Sequence, residues 1–194
     1  WGGVVASKIR EDQLYEGVRV TARATLAGAL VPVQIDIGFG DAITPAPVEV
    51  EWRDLLGFPE ARLLAYPPET VIAEKLEAAT VLGLANSRMK DFFDLDWLCR
   101  HREFDRTVLA EAVRNTFQRR GTPMPEALPF VLTPQFATDR DKVTQWAAFL
   151  RKSSLRADSL EEIIGRLSKF LGPVLTSNAT PARWNTQTGW EAKE

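Results

Sequence analysis

Reactive and metal-seeking side chains are scarce in this chain. It holds one cysteine, Cys99, and one histidine, His101. A single cysteine excludes an internal disulfide and any cysteine-cluster zinc site, so a reducing compartment is the expected setting. A Ser-His-Asp triad or a multi-histidine metal site would have to be built around His101, and no neighbouring residue supports one. A large charge of one sign is also lacking: 24 Lys and Arg stand against 26 Asp and Glu, for a net charge of −2. A nucleic-acid surface would therefore have to be a local patch. No apolar run approaches the ~20 residues that span a bilayer. The N-terminal WGGVVASKIREDQ has no apolar signal-peptide segment. These absences point to a soluble cytoplasmic protein with no membrane partner.

What is present is ordinary globular composition, 45% hydrophobic and 26% charged over 194 residues. That length allows one domain with a substantial core or two small ones. Val18, Val20, Ala22, Ala24 and Leu26 alternate with Arg19, Thr21, Arg23 and Thr25, and Val31, Val33, Ile35, Ile37 and Phe39 alternate with Pro32, Gln34, Asp36 and Gly38. Two such runs joined by a short Gly-containing loop predict a β-hairpin over 17–39. Its apolar face should pack on a core, and its other face carries Arg19, Arg23, Gln34 and Asp36. A lone hairpin is marginal in water, so the N-terminal part reads as the edge of a larger sheet. A short strand is expected at Val48 to Trp52.

From residue 66 the pattern becomes helical. Val71, Ile72, Leu76, Ala79 and Leu82 form a stripe, opened by prolines and Glu69 and closed by Gly83 and Asn86. Ser87 is the expected cap of a second helix over about 88–102. Further helices are expected near 105–119, 139–152 and 159–171, with a proline-rich linker at 121–134 and a frayed polar tail from Thr176. Strands followed by helices give an α+β fold. The divisions are a partial sheet domain at 1–65, a helical domain at 66–175 and a flexible tail at 176–194.

NSRMKDFFDLDWL, residues 86 to 98, concentrates Arg88, Lys90, Asp91, Asp94 and Asp96 beside an apolar stripe. Asp94 and Asp96 spell D-x-D, but residues two apart on a helix diverge by about 200°. They cannot form a metal pair, and Asp96 reads as solvated. Asp91 and Asp94 share a face, and Lys90 and Asp94 suit a plain i,i+4 surface pair. Lys75 lies in the apolar stripe one helix earlier, where a lysine ordinarily extends out to water. Two adjacent helices that each offer a cation form a more specific arrangement, because lysine and Mg²⁺ are the usual partners of triphosphates. Asp36 is either a cross-strand partner of Arg19 or Arg23, an exposed acid, or a site carboxylate. Arginines at 100, 102, 106, 114, 119 and 120 make one basic region, suited to an RNA backbone or to a solvated helix face.

QIDIGFGDAITPAP, LLAYPPETVIAEKLEAATVLGLANSRMKDFFDL, the preceding YEGVRVTARATLAGA and the following NTFQRRGTPMP together resemble the AbiEii/AbiGii-type nucleotidyltransferase toxins. The resemblance runs from about residue 4 to 173. It implies a fold similar to DNA polymerase β-like nucleotidyltransferases, a mixed sheet carrying catalytic acids followed by a helical domain. It also implies a bacterial toxin of a toxin–antitoxin or abortive-infection system that uses an NTP with Mg²⁺. Such a toxin would modify RNA, such as a tRNA 3′ end, or a protein hydroxyl, and would have a cognate antitoxin. By the same resemblance Asp36 is a catalytic and metal carboxylate. Lys75 lies near the triphosphate, and Lys90 contacts phosphate with Arg88 beside it. Asp91 and Asp94 orient the basic groups or the nucleotide. The family's first motif, a Gly-Gly or Gly-Ser turn followed by D-x-D, is not found, since no D-x-D follows Gly2-Gly3. The expectation is an enzyme when complete and an inactive chain alone. The alternative is a catalytically incomplete module that binds nucleotide, RNA or antitoxin.

Overall fold

The computed structural model describes residues 2–9, 17–52, 56–175 and 180–193. The chain divides into two compact units, 1–41 and 42–194. The division falls after Asp41, whereas the change of pattern in the sequence comes near residue 66.

The first unit is an antiparallel sheet of β1 (Gly2–Ile9), β2 (Gly17–Leu26) and β3 (Ala29–Gly38), in that order. The predicted hairpin is therefore joined by a third strand, whose Ala6 pairs with Val20 and Ser7 with Arg19. Ala27 and Gly28 link β2 to β3 with φ of 49° and 83°. Positive φ at both central residues is the tight-turn geometry whose twist matches the flanking strands. The apolar face does not meet the expected core: Val31, Ile35 and Ile37 are 41%, 54% and 41% exposed. A single sheet layer buries its face only against a second layer, and the described residues of this unit form one layer.

The second unit begins with a loop and the hairpin β4 (Val48–Trp52) and β5 (Ala61–Ala65). Thr44 anchors the loop. Its N–H donates to Thr70 Oγ1 at 2.9 Å, and its carbonyl accepts from the same hydroxyl at 2.9 Å. Helices α1 (Pro68–Leu82), α2 (Met89–His101), α3 (Arg106–Arg119), α4 (Pro134–Thr138), α5 (Arg140–Ser153) and α6 (Leu160–Leu175) follow. Helix α1 packs along α3, while α2, α3 and α4 pack on α6. Ile72, Leu76, Phe92, Leu95, Phe117, Phe136, Leu167 and Phe170 are almost wholly buried between them. This is an α+β fold.

Local signals explain most helix ends. The Asp105 carboxylate accepts from the N–H groups of Thr107 and Val108, and Asp139 does the same for Asp141 and Lys142. Ser159 and Glu162 form a reciprocal capping box at the start of α6. Ser87 does not cap α2. Arg88 occupies that position without a side-chain cap, and the Asn86 side-chain oxygen accepts from the Arg88 N–H at 2.8 Å. An Asn side chain bonding the backbone two residues on is a turn in its own right.

Two regions read as irregular are structured. The proline-rich stretch 121–134 includes a tight turn at Phe130–Leu132 that buries Val131 and Leu132. Residues 176–179 and 194 of the expected flexible tail lie outside the described residues, but 180–193 form a hairpin. Strands β7 (Ala182–Asn185) and β8 (Gly189–Ala192) extend a sheet begun by β6 (Phe104–Asp105). Trp184 donates to the Cys99 carbonyl at 2.8 Å and Trp190 to the Phe170 carbonyl at 2.9 Å. Among the described residues, no helix is long and apolar enough to cross a membrane.

Candidate phosphate-binding cluster

Helices α1 and α2 bring five charged side chains to one place. Lys75 projects from α1, where its neighbours Ile72, Ala73 and Leu76 are buried. Its ammonium donates to Asp91 Oδ1 at 2.6 Å and to Asp94 Oδ2 at 2.8 Å. Lys90 donates to the same Asp94 oxygen at 2.6 Å, and Arg88 Nε pairs with Asp91 Oδ2 at 2.7 Å. Asp91 and Asp94 can both reach Lys75 because three residues along a helix nearly complete a turn. The three cations Lys75, Arg88 and Lys90 against two carboxylates leave a net charge of +1.

The members differ in burial. The Lys75 side chain is 18% exposed and that of Lys90 72%. Burial is the strongest single influence on Lys75 and lowers its pKa. The hydrogen bonds and charges of Asp91 and Asp94 together outweigh it, so the pKa is raised and the ammonium stays charged. For Asp94, burial acts upward, and bonds from Lys75 and Lys90 outweigh it and hold the carboxyl below its ordinary value. The partly buried cation is thus fixed in place, and the more exposed one extends toward water.

An open groove of about 400 Å³ adjoins the cluster, lined by Val71, Lys75, Phe93, Asp94, Trp97 and Leu98. Phe93 and Trp97 are not among the site residues expected from the sequence. Their signal is the i,i+4 spacing of two large aromatics, each one position away from a stripe residue, Phe92 or Leu98.

Asp36 lies on β3 in the other unit. The Arg19 guanidinium grips it from the directly paired position on β2, with Nε to Oδ1 and Nη2 to Oδ2 both at 2.8 Å. Gln34 adds a third donor at 3.3 Å. The Arg19 hydrogen bond holds the Asp36 carboxyl below its ordinary pKa. The cross-strand pairing open in the sequence is therefore the one adopted. Among the described residues, no group of three or more His, Cys, Asp or Glu side chains is placed to hold a metal ion.

Asp96 is not solvated, contrary to the sequence reading. It is 5% exposed and accepts from Arg166 Nε at 2.8 Å. The divergence that separates it from Asp94 points it at α6. Arginines of the basic region are drawn into internal contacts too. Arg100 lies near Asp96 and Asp158, Arg106 donates to Thr180, and Arg120 pairs with Glu77. Cys99 is buried, and that burial pushes its thiol pKa up to about 12, which makes it inert.

A family model described as "Nucleotidyl transferase AbiEii toxin, Type IV TA system" matches residues 2–166. No curated protein and no solved structure matches the chain.

Proposed function

Because the chain belongs to the AbiEii nucleotidyl transferase toxin family of type IV toxin–antitoxin systems, we propose that its α1–α2 cluster binds the phosphates of a nucleoside triphosphate during nucleotide transfer. The observation that carries this reading is Lys75, partly buried and held by two carboxylates, next to the exposed Lys90 and Arg88. Asp91 and Asp94 position the ammonium and keep it protonated. The exposed cations remain able to turn toward an anion.

In the reaction, a hydroxyl of an RNA 3′ end or of a protein attacks the α-phosphorus. The new O–P bond forms as the bond to the oxygen bridging to the β-phosphate breaks; the hydroxyl proton passes to water, and pyrophosphate leaves. Fixed positive charge helps most where negative charge grows, on the departing pyrophosphate. Asp36 is the proposed acceptor that orients the attacking hydroxyl. Arg19 keeps it ionised, which suits hydrogen-bond acceptance and cation contact better than strong-base chemistry. Mg²⁺ entering with the triphosphate would supply charge neutralisation. The antitoxin of the system is the proposed protein partner.

The test, made on the complete protein, is transfer of label from an NTP to total RNA and to protein. Lys75→Ala should lower transfer about a hundredfold, the scale seen when one preorganised charge-stabilising group is lost. Asp36→Ala should abolish transfer with the fold intact. Near-normal transfer by either variant removes that residue from the mechanism. The pairing of Asp36 with Arg19 favours a second reading, a nucleotide-binding module without transfer. Nucleotide binding with no transfer to any acceptor would select it.

A further inference from the structure

We propose that the groove beside the cluster receives the base of the nucleoside triphosphate, with Trp97 as its stacking platform. The inference rests on the phosphate reading above and specifies the rest of that ligand. Phe93 and Trp97 are four residues apart on α2 and therefore share a face. Trp97 is 45% exposed, a high value for the largest apolar side chain. Its indole lies against the His101 imidazole, with centroids 4.6 Å apart and planes at 12°. His101 Nδ1 is 2.8 Å from the Trp97 carbonyl oxygen, so Nδ1 carries the proton and donates there. The two rings form a flat, pre-positioned unit.

The groove has two chemistries. Val71, Phe93, Trp97 and Leu98 are apolar or aromatic, and Lys75 and Asp94 form a polar end. Its volume of about 400 Å³ falls within the range of small-ligand sites, roughly 300–1,000 Å³. An inorganic anion would leave the apolar walls uncovered, and an apolar ligand would leave the cations without a counterpart. A nucleotide satisfies both, with its base on the aromatic wall and its phosphates toward Lys75 and Lys90. Asp94 is already neutralised by both lysines, so it does not repel that anion strongly. Stacking tolerates any base, so Trp97 supplies affinity and leaves the choice of base to other contacts.

The experiment is calorimetric titration of the whole chain with ATP and, separately, with inorganic triphosphate, which has no base. Trp97→Ala should weaken ATP binding about tenfold, within the range of a lost base–aromatic stack. It should leave triphosphate binding unchanged, which also reports an intact fold. Trp97→Phe should keep most of the ATP affinity. An unchanged ATP affinity in Trp97→Ala, or an equal loss for both probes, would overturn the platform while the phosphate reading stood. Failure of both probes to bind the unmodified chain would overturn the phosphate reading, and the platform with it.

Discussion

Asp36 and Asp96 are both carboxylates gripped by an arginine, but water treats them differently. The side chain of Asp36 is 44% exposed and that of Asp96 8%. Exposed pairs are screened by solvent and add little to stability. Removing one partner of a buried pair leaves the other unsatisfied. Asp96→Ala should therefore lower stability by about 2 kcal/mol, because the Nε–H of a partly buried Arg166 loses its charged acceptor and only the bond from Nη2 to the half-exposed Asp158 remains. Asp36→Ala should leave the urea midpoint where it was. Equal shifts in the two variants would contradict this account. The sequence did show that Asp94 and Asp96 point apart, since helical geometry alone requires it. It did not show that α6 lies on the far side and covers Asp96. That depends on tertiary packing between residues 70 positions apart, which no local spacing encodes.

Besides the Asp96 contact with α6, helix α2 divides its circumference among three tasks. Phe92, Leu95 and Cys99 enter the core, Asp91 and Asp94 meet Lys75, and Phe93 and Trp97 line the groove. The first was legible in the periodicity; for the second, i,i+3 spacing announced only that Asp91 and Asp94 share a face, and their meeting with Lys75 depends on how α1 packs on α2. The third was not legible, because aromatics at i,i+4 read equally well as core. The α1–α2 latch also sets a pH response. Asp94 is held below its ordinary 3.8, so its contribution is present above that value and lost as pH falls through the folded pKa. Lys75 is raised above its ordinary 10.5, so its contribution is present below that value and lost as pH rises through the folded pKa. The latch is at full strength across the neutral range. Asp94→Asn should lower stability at neutral pH and flatten its decline below pH 3.8, as read by chemical denaturation at a series of pH values. An acid limb as steep as that of the parent would assign the decline to other carboxylates.

At the scale of the molecule, the C-terminal hairpin is the element least visible in the sequence. PARWNTQTGWEA is polar and short, and a frayed tail has the same composition. Only the two tryptophans mark it, and their role depends on Phe104 and Phe170 lying beneath them. Phe170 meets Trp184 at 4.7 Å and Trp190 at 5.8 Å between ring centroids. The Trp184 N–H also satisfies the carbonyl of Cys99, the one cysteine in the chain. This makes Cys99 a reporter of how firmly the hairpin is seated. Its thiol is buried and its pKa is pushed up to about 12, so a thiol reagent reacts only after local or global opening. Trp184→Ala removes a buried aromatic, at a cost of about 3 kcal/mol, and leaves the Cys99 carbonyl without its donor. Labelling of Cys99 under native conditions should then accelerate at least about tenfold, since 1.4 kcal/mol of easier opening already gives that factor. Trp190→Phe, which keeps a ring against Phe170 and leaves the Cys99 carbonyl paired, should accelerate labelling far less. If both variants label at the parent rate, the hairpin does not restrain the segment around Cys99, and the core beneath it is closed by α2, α3 and α6 alone.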